Sequence, residues 1–294
     1  MTPPQGADNS GPPATPGELY RRFDRPTRKR FGQHFILDPA ILEEIATVAD
    51  IRSDDRVLEI GPGCGTLTLI LLQRGAQVDA LEIDRDAVAF LRRHLEPHFP
   101  LSIHDGDALV VDLASILETT PLPWKVVANL PYNVGTRILF RLFEYDDHIE
   151  EMTLMFQREV ADRIVARRGD SEFGALSLMS QLHGEVHRAM TLPPGAFVPP
   201  PKVDSAVVQF RLVAGTRIAD DEVRRAFVRI VEAAFQMRRK TLANGLKAMG
   251  CDKSLVEQKL ESLGLRPKVR PQRVGFDEFA ELAAALLEEG EVEV

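Results

Sequence analysis

Three glycines at alternate positions, in Glu59-Ile60-Gly61-Pro62-Gly63-Cys64-Gly65, separate the apolar run Arg56 to Ile60 from the apolar segment Thr66 to Gln73. The first run has the length and β-branching of a buried strand, and the second has helical character. Glycines at such a junction let the backbone approach a ligand closely, at the strand end where open α/β sheets bind ligands. Twenty-one residues beyond Gly61 lies Glu82, at the end of a second predicted strand, Gln77 to Glu82, where it can accept hydrogen bonds from a ribose diol. A dinucleotide fingerprint would place its third glycine at position 66, which is Thr66 here. The GxGxG spacing after a carboxylate, Glu59, suits S-adenosylmethionine better. A nicotinamide site and a purely structural glycine turn are the competing readings.

The alternation continues on both sides of this loop. Pro39 can start a helix through about Ala49, and further helices are expected over Arg85 to Leu95 and Thr136 to Phe143. Strands are expected at Leu101 to His104, Lys125 to Ala128 and Met152 to Phe156. This order predicts an α/β class with a Rossmann-like, mostly parallel sheet. Glu185 to Leu192 and Ser205 to Leu212 bracket PPGAFVPPPK, too short and proline-rich for a crossover helix, so an antiparallel strand should close the sheet. From Asp220 the periodicity is helical to the end. The expected organisation is a disordered Pro/Gly-rich leader and basic arm over 1–27, a catalytic α/β domain over 28–214, and a small all-α domain with an acidic tail over 215–294.

Net charge is −8 over 294 residues, which taken alone argues against a nucleic-acid partner. Seven acids and no base occupy 277–294, however, so the first 276 residues sum to −1. Against that background stand three basic clusters: Arg21, Arg22, Arg25, Arg28, Lys29 and Arg30; Arg238, Arg239 and Lys240; and Arg266, Lys268, Arg270 and Arg273. Such patches bind phosphate by counterion release whatever the net charge; solvated surface or pairing with acids such as Glu232 is the bland alternative. If helical, Arg238 to Lys240 would fan around the axis, so that not all could be buried.

Two cysteines without CxxC spacing, Cys64 and Cys251, argue against a disulfide scaffold or a cysteine zinc site and fit a reducing cytoplasm. No apolar run is long enough to span a membrane, and the N-terminus lacks a signal-peptide core. His183 and His187 have helical metal spacing, but Gly184 and the following strand separate them, so no metal is expected. Cys64 has no partner base in its motif and reads as small and buried.

Past the third strand, Asp107 in GDALVVD can accept from an adenine amine, although turn capping is the commoner job of such an aspartate. Asn129-Leu130-Pro131-Tyr132 follows the fourth strand directly. Its amide oxygen and the Leu130 carbonyl can accept two hydrogen bonds from a planar amine; Pro131 fixes the backbone and Tyr132 offers a stacking face. Phe197, on the proline-rich loop, is the candidate for the opposite wall of a base site, with core packing as its alternative.

The segments RKRFGQHF (28–35), EIGPGCGTLT, ALEID, GDAL, NLPYN, QREVADRI, FVPPPKVDSAVV and FQMRRKTLANGL occur in the order found in the small-subunit ribosomal RNA adenine dimethyltransferases, which the chain resembles from about Arg28 to Leu287. The resemblance implies S-adenosylmethionine-dependent dimethylation of N6 on two adjacent adenosines near the 3′ end of 16S RNA, within a pre-30S particle. It also implies cofactor contacts at His34, Ile36, Gly61, Glu82, Asp107 and Asn129, to which the motif reading adds Glu59 and Gly63. The family commonly has Leu where this chain has Ile36. Catalysis is then expected at Asn129, Leu130, Pro131, Tyr132 and Phe197, and RNA contact at Arg28, Lys29, Arg30, Arg238, Arg239, Lys240, Arg270 and Arg273. A monomer is expected. The alternatives are a 23S RNA dimethyltransferase of the macrolide-resistance type, disfavoured by FVPPPKVDSAVV, and a non-catalytic 30S assembly factor. An assembly factor would have no reason to keep the glycine loop, Glu82, Asp107 and NLPY together.

Overall fold

The computed structural model describes residues 11–24, 33–120, 123–237 and 239–293. Arg28, Lys29, Arg30 and Arg238 lie outside them.

The chain forms two compact units, Met1–Gln157 with Ala189–Gln209, and Arg158–Arg188 with Phe210–Val294. The first begins with α1 (Pro16–Phe23), β1 (Phe35–Ile36) and α2 (Pro39–Val48). Alternation follows through β2 (Arg56–Ile60), α3 (Thr66–Gln73), β3 (Gln77–Glu82), α4 (Arg85–His94), β4 (Leu101–Asp105), α5 (Ala114–Leu117), β5 (Trp124–Asn129), α6 (Gly135–Phe143) and β6 (Ile149–Gln157). β2 pairs in parallel with β3 and β5, β3 with β4, and β5 with β6. With β7 (Gly184–Leu192) and β9 (Ser205–Leu212), the seven strands lie in the order β4-β3-β2-β5-β6-β9-β7. Chain order reverses direction between β2 and β5, so loops following these strands diverge and leave a crevice at their C-terminal ends.

Local chemistry explains the boundaries. Asp38 and Asp84 cap α2 and α4 by accepting from the amides of Ala40 and Asp86, and Pro39 opens α2 without losing a needed N–H. α3 is apolar all round and buried throughout its first seven residues, as a helix enclosed on every side must be. β5 carries a lysine inward: Lys125 Nζ donates to Asp55 Oδ2 (2.9 Å) and to the Asp50 carbonyl (2.7 Å), which makes its burial tolerable.

Where the disordered leader is expected to pass into the basic arm, Pro16–Phe23 forms a helix. Thr15 caps α1, Glu18 is hydrogen bonded to the Ala14 amide, and Leu19 and Phe23 are buried. Five aromatic or polar residues concealed this short amphipathic helix among turn formers. Arg22, assigned to a phosphate-binding cluster, pairs instead with Glu18 and donates to the Gly11 carbonyl (3.0 Å).

The second unit holds α7 (Arg158–Val165), α8 (Ala175–His183), α9 (Asp221–Gln236), α10 (Leu242–Lys247), α11 (Lys253–Ser262) and α12 (Phe276–Glu288). The boundary expected at 214/215 is therefore corrected: α7 and α8 belong with the helical unit. Phe173, Leu178 and Leu182 share one core with Phe227, Ile230 and Phe279, contacts no local pattern reveals. The acidic tail is largely α12, whose Phe279, Leu282 and Leu286 are buried. Three of its acids form ion pairs: Asp277 with Arg217, Glu278 with Arg168, and Glu289, just beyond the helix, with Lys259. Among the described residues no helix is long and apolar enough to cross a membrane.

Candidate active site

The crevice at the strand ends contains a cavity of about 290 Å³. Of the twelve residues expected to bind the cofactor or carry catalysis, eleven line it: His34, Ile36, Glu59, Gly61, Gly63, Glu82, Asp107, Asn129, Leu130, Pro131 and Tyr132. Phe197 does not. It is 2% exposed and packs in the hydrophobic core with Leu192, Met155 and Val207, on a two-residue strand, β8 (Phe197–Val198), paired with β1. The core-packing alternative replaces the proposed base-stacking wall.

Gly61, Gly63 and Gly65 all have left-handed backbone, with φ of 70°, 58° and 83°. Their surroundings differ. A Cβ at Gly63 would stand 2.6 Å from Phe35 Cε1, and one at Gly65 equally close to Leu91 Cδ2; at Gly61 it would meet nothing within 4 Å. Two glycines thus permit packing, and the third opens the backbone to the cavity.

Glu82 governs the loop. Its Oε2 accepts from the Gly63 amide and its Oε1 from the Asp84 amide, both at 2.8 Å. Burial raises its pKa, and these amides oppose that rise. Glu59, at the end of the neighbouring strand, is buried with Oε2 lacking any hydrogen-bond partner. Desolvation pushes its carboxyl up to about 8, partly offset by Thr68 and reinforced by Glu82. Cys64, in the same loop, is buried and its thiol pushed up to about 12, which makes it inert. Asp107 Oδ1 accepts from the Leu109 amide (2.9 Å), so the aspartate caps its own turn while lining the cavity.

The opposite lip is built from Asn129-Leu130-Pro131-Tyr132. Asn129 Nδ2 donates to the His34 carbonyl (2.8 Å), which assigns Oδ1 as the amide's remaining acceptor. The Leu130 carbonyl accepts no hydrogen bond among the described residues, whereas that of Pro131 takes the amides of Val134 and Gly135 and begins α6. Tyr132 stacks on His34, ring centroids 5.4 Å apart and planes at 21°. Its hydroxyl shares a 2.6 Å hydrogen bond with Ser205 Oγ, and burial raises its pKa. His34 Nδ1 donates to the Pro199 carbonyl (2.7 Å), since that oxygen can only accept.

Sequence reasoning missed Ser205, Pro199 and Gln33, whose amide donates to Asp84 Oδ2 (3.3 Å). All three act through long-range contacts, although Ser205 and Pro199 lie inside the quoted FVPPPKVDSAVV motif and Gln33 inside RKRFGQHF. The site's residues fit the expected cofactor. Gly61 opens the loop, Glu82 and Asp107 retain acceptor capacity for a diol and an exocyclic amine, and the unpartnered Glu59 oxygen suits a cation.

Together, the mostly parallel sheet, the glycine loop at its first strand and the carboxylates on the following strands define an S-adenosylmethionine-dependent methyltransferase. Residues 25–283 match the profile of the ribosomal RNA adenine dimethylases. Ribosomal RNA small subunit methyltransferase A of Syntrophotalea carbinolica is 41% identical over 256 residues, 87% of this chain and 95% of that protein. Its counterpart from Pseudomonas aeruginosa is 40% identical over 272 residues, 92% and 97% of the two chains. Among solved structures, a dimethyladenosine transferase from Plasmodium falciparum superposes with a TM-score of 0.74 at 26% identity, covering 87% of this chain and 98% of its own. The 23S rRNA methyltransferase ErmE does so with a TM-score of 0.68 at 27% identity, covering 86% and 99%. The chain belongs to the ribosomal RNA adenine dimethylase family.

Proposed function

We propose that the protein dimethylates N6 of two adjacent adenosines near the 3′ end of 16S RNA, in a pre-30S particle, as a cytoplasmic monomer. The observation that carries this reading is the orientation of Asn129: its Nδ2 is committed to the His34 carbonyl, so Oδ1 and the Leu130 carbonyl remain as a pair of acceptors. An adenine N6 lone pair is delocalised into its ring and nucleophilically weak, so positioning is the main task. Two acceptors favour the pyramidal, increasingly cationic nitrogen over the planar amine. S-adenosylmethionine supplies the methyl group from its sulfonium.

Because N6 lies on a base edge, the adenine must leave its stack at a cost of a few kcal/mol. The Tyr132 ring, held by Ser205 and His34, is assigned as its new platform. No strong base is needed, since the methylated nitrogen is acidic once it has attacked. The cofactor is assigned to His34, Ile36, Glu59, Gly61, Gly63, Glu82, Asp107 and Asn129.

RNA docking is assigned to the helical unit. Arg239, Lys240, Arg270 and Arg273 are exposed and form no ion pair among the described residues. The first two follow the end of α9 in a turn closed by the Lys240 amide and the Met237 carbonyl (2.8 Å), so they do not fan around a helix. Arg28, Lys29, Arg30 and Arg238 complete the assigned footprint. A 23S substrate has the likeness to ErmE in its favour, but the roughly 40% identical relatives carry small-subunit names. Incubation with labelled S-adenosylmethionine and immature 30S, 50S or naked RNA, followed by mapping of the methylated base, decides. Label confined to adjacent adenosines of 16S RNA is expected; label in 23S RNA, or none, refutes the assignment.

A further inference from the structure

Two carboxylates face the cavity in unequal surroundings. Glu82 has two backbone amides to hold a negative charge; Glu59, 2% exposed, has an oxygen with none. The other ionisable side chains lining the cavity are Asp107, His34 and Tyr132, with no lysine or arginine among the described residues. Asp84 and the inert Cys64 are the remaining ionisable neighbours of the carboxylate pair. Two buried carboxyls acting on each other, with no cationic side chain among the described lining residues, favour sharing one proton. The amides make Glu82 the anion and leave the proton on Glu59, in agreement with its carboxyl being pushed up to about 8.

The methyl donor carries a permanent sulfonium charge and is net positive with its ammonium and carboxylate ionised; the demethylated product is net neutral. We propose that Glu59 is the residue by which the cavity distinguishes donor from product, meeting the cationic donor as a carboxylate and the neutral product as a carboxylic acid. Donor binding therefore releases one proton from Glu59 to solvent. During transfer the sulfur–methyl bond breaks, the nitrogen–carbon bond forms, and the positive charge passes to N6, which loses its own proton to solvent. Glu59 takes a proton from solvent once the neutral product is left behind, so each turnover releases one proton net. Product release is thereby eased, because the anion that attracted the donor has gone.

The inference rests on the S-adenosylmethionine reading, and binding calorimetry on the full chain separates the two. Titrations of S-adenosylmethionine and S-adenosylhomocysteine at pH 7, in buffers of different ionisation enthalpy, count the protons. Wild type is expected to release most of one proton per donor bound and almost none per product. Glu59→Gln should abolish that release and reduce donor affinity at least tenfold relative to product affinity, with product binding as the check on folding. The difference between the two proteins removes the contribution of the ligand's own ammonium group. Donor affinity of wild type should climb up to about tenfold per pH unit below pH 8 and then level off. Equal proton counts for the two ligands, or an unchanged donor-to-product ratio in Glu59→Gln, overturn the proposal. Should the variant lose product binding too, the wild-type proton counts decide alone. If wild type binds neither ligand, the cofactor reading itself falls.

Discussion

Asn129 donates from Nδ2 to the carbonyl of His34, 95 residues earlier in the chain, at 2.8 Å. This single contact orients the amide. Asn129→Ala removes an acceptor and its orienting bond while leaving the glycine loop intact. Its single-turnover methyl-transfer rate should fall on the order of 10²-fold at saturating RNA and donor. Recovery of the wild-type rate at saturation would make Asn129 a binding element only.

Glu82→Ala should weaken donor binding and also destabilise the protein without ligand. The Gly63 and Asp84 amides each lose their acceptor, at about 1–3 kcal/mol for every buried donor left unpaired. Calorimetry and thermal unfolding of the same sample should both register the change. A variant with unaltered Tm and donor affinity contradicts the role given to this carboxylate.

Phe197→Ala should act on stability before it acts on rate. Removing a fully buried ring from this core costs about 3–5 kcal/mol. Phe197→Leu, which refills most of the volume, should restore both stability and methylation. A stable Phe197→Ala with a collapsed rate would return the ring to the base site.

Glu59 gives the protein a definite pH signature. Its folded pKa is raised, to about 8 from 4.5, so its contribution to stability is complete below pH 4.5 and disappears as pH rises through 8. The difference in unfolding free energy between wild type and Glu59→Gln, measured in the absence of ligand, should therefore shift against wild type from about pH 5 to pH 8. A difference independent of pH over that window would mean Glu59 is ionised throughout.

Replacing Arg238, Arg239 and Lys240 with Ala should weaken binding to pre-30S particles. The slope of log affinity against log salt should flatten by up to about one unit per lost phosphate contact. Donor affinity should stay unchanged, because neither Arg239 nor Lys240 lines the cavity. Equal salt slopes would place these charges in solvent and move the footprint to Arg28, Lys29 and Arg30.

What the sequence determined by itself was whatever a local pattern encodes. RVLEI, TLTLILLQ and QVDALE form β2, α3 and β3 at their expected boundaries, because periodicity and flanking glycines act over a few residues. Eleven residues of the expected site line one cavity, nine of them because the C-terminal ends of adjacent parallel strands lie along the same edge of the sheet. Tertiary structure alone decided the rest. It withdrew Phe197 into the core, drew α7 and α8 into the helical unit, and gave α1 a surface on which Leu19 could be buried. It also set Glu59 and Glu82 on one cavity with different partners, through the parallel register of β2 with β3. Burial, hydrogen-bond partnership and proton sharing depend on groups far apart in the chain, so no window of sequence contains them.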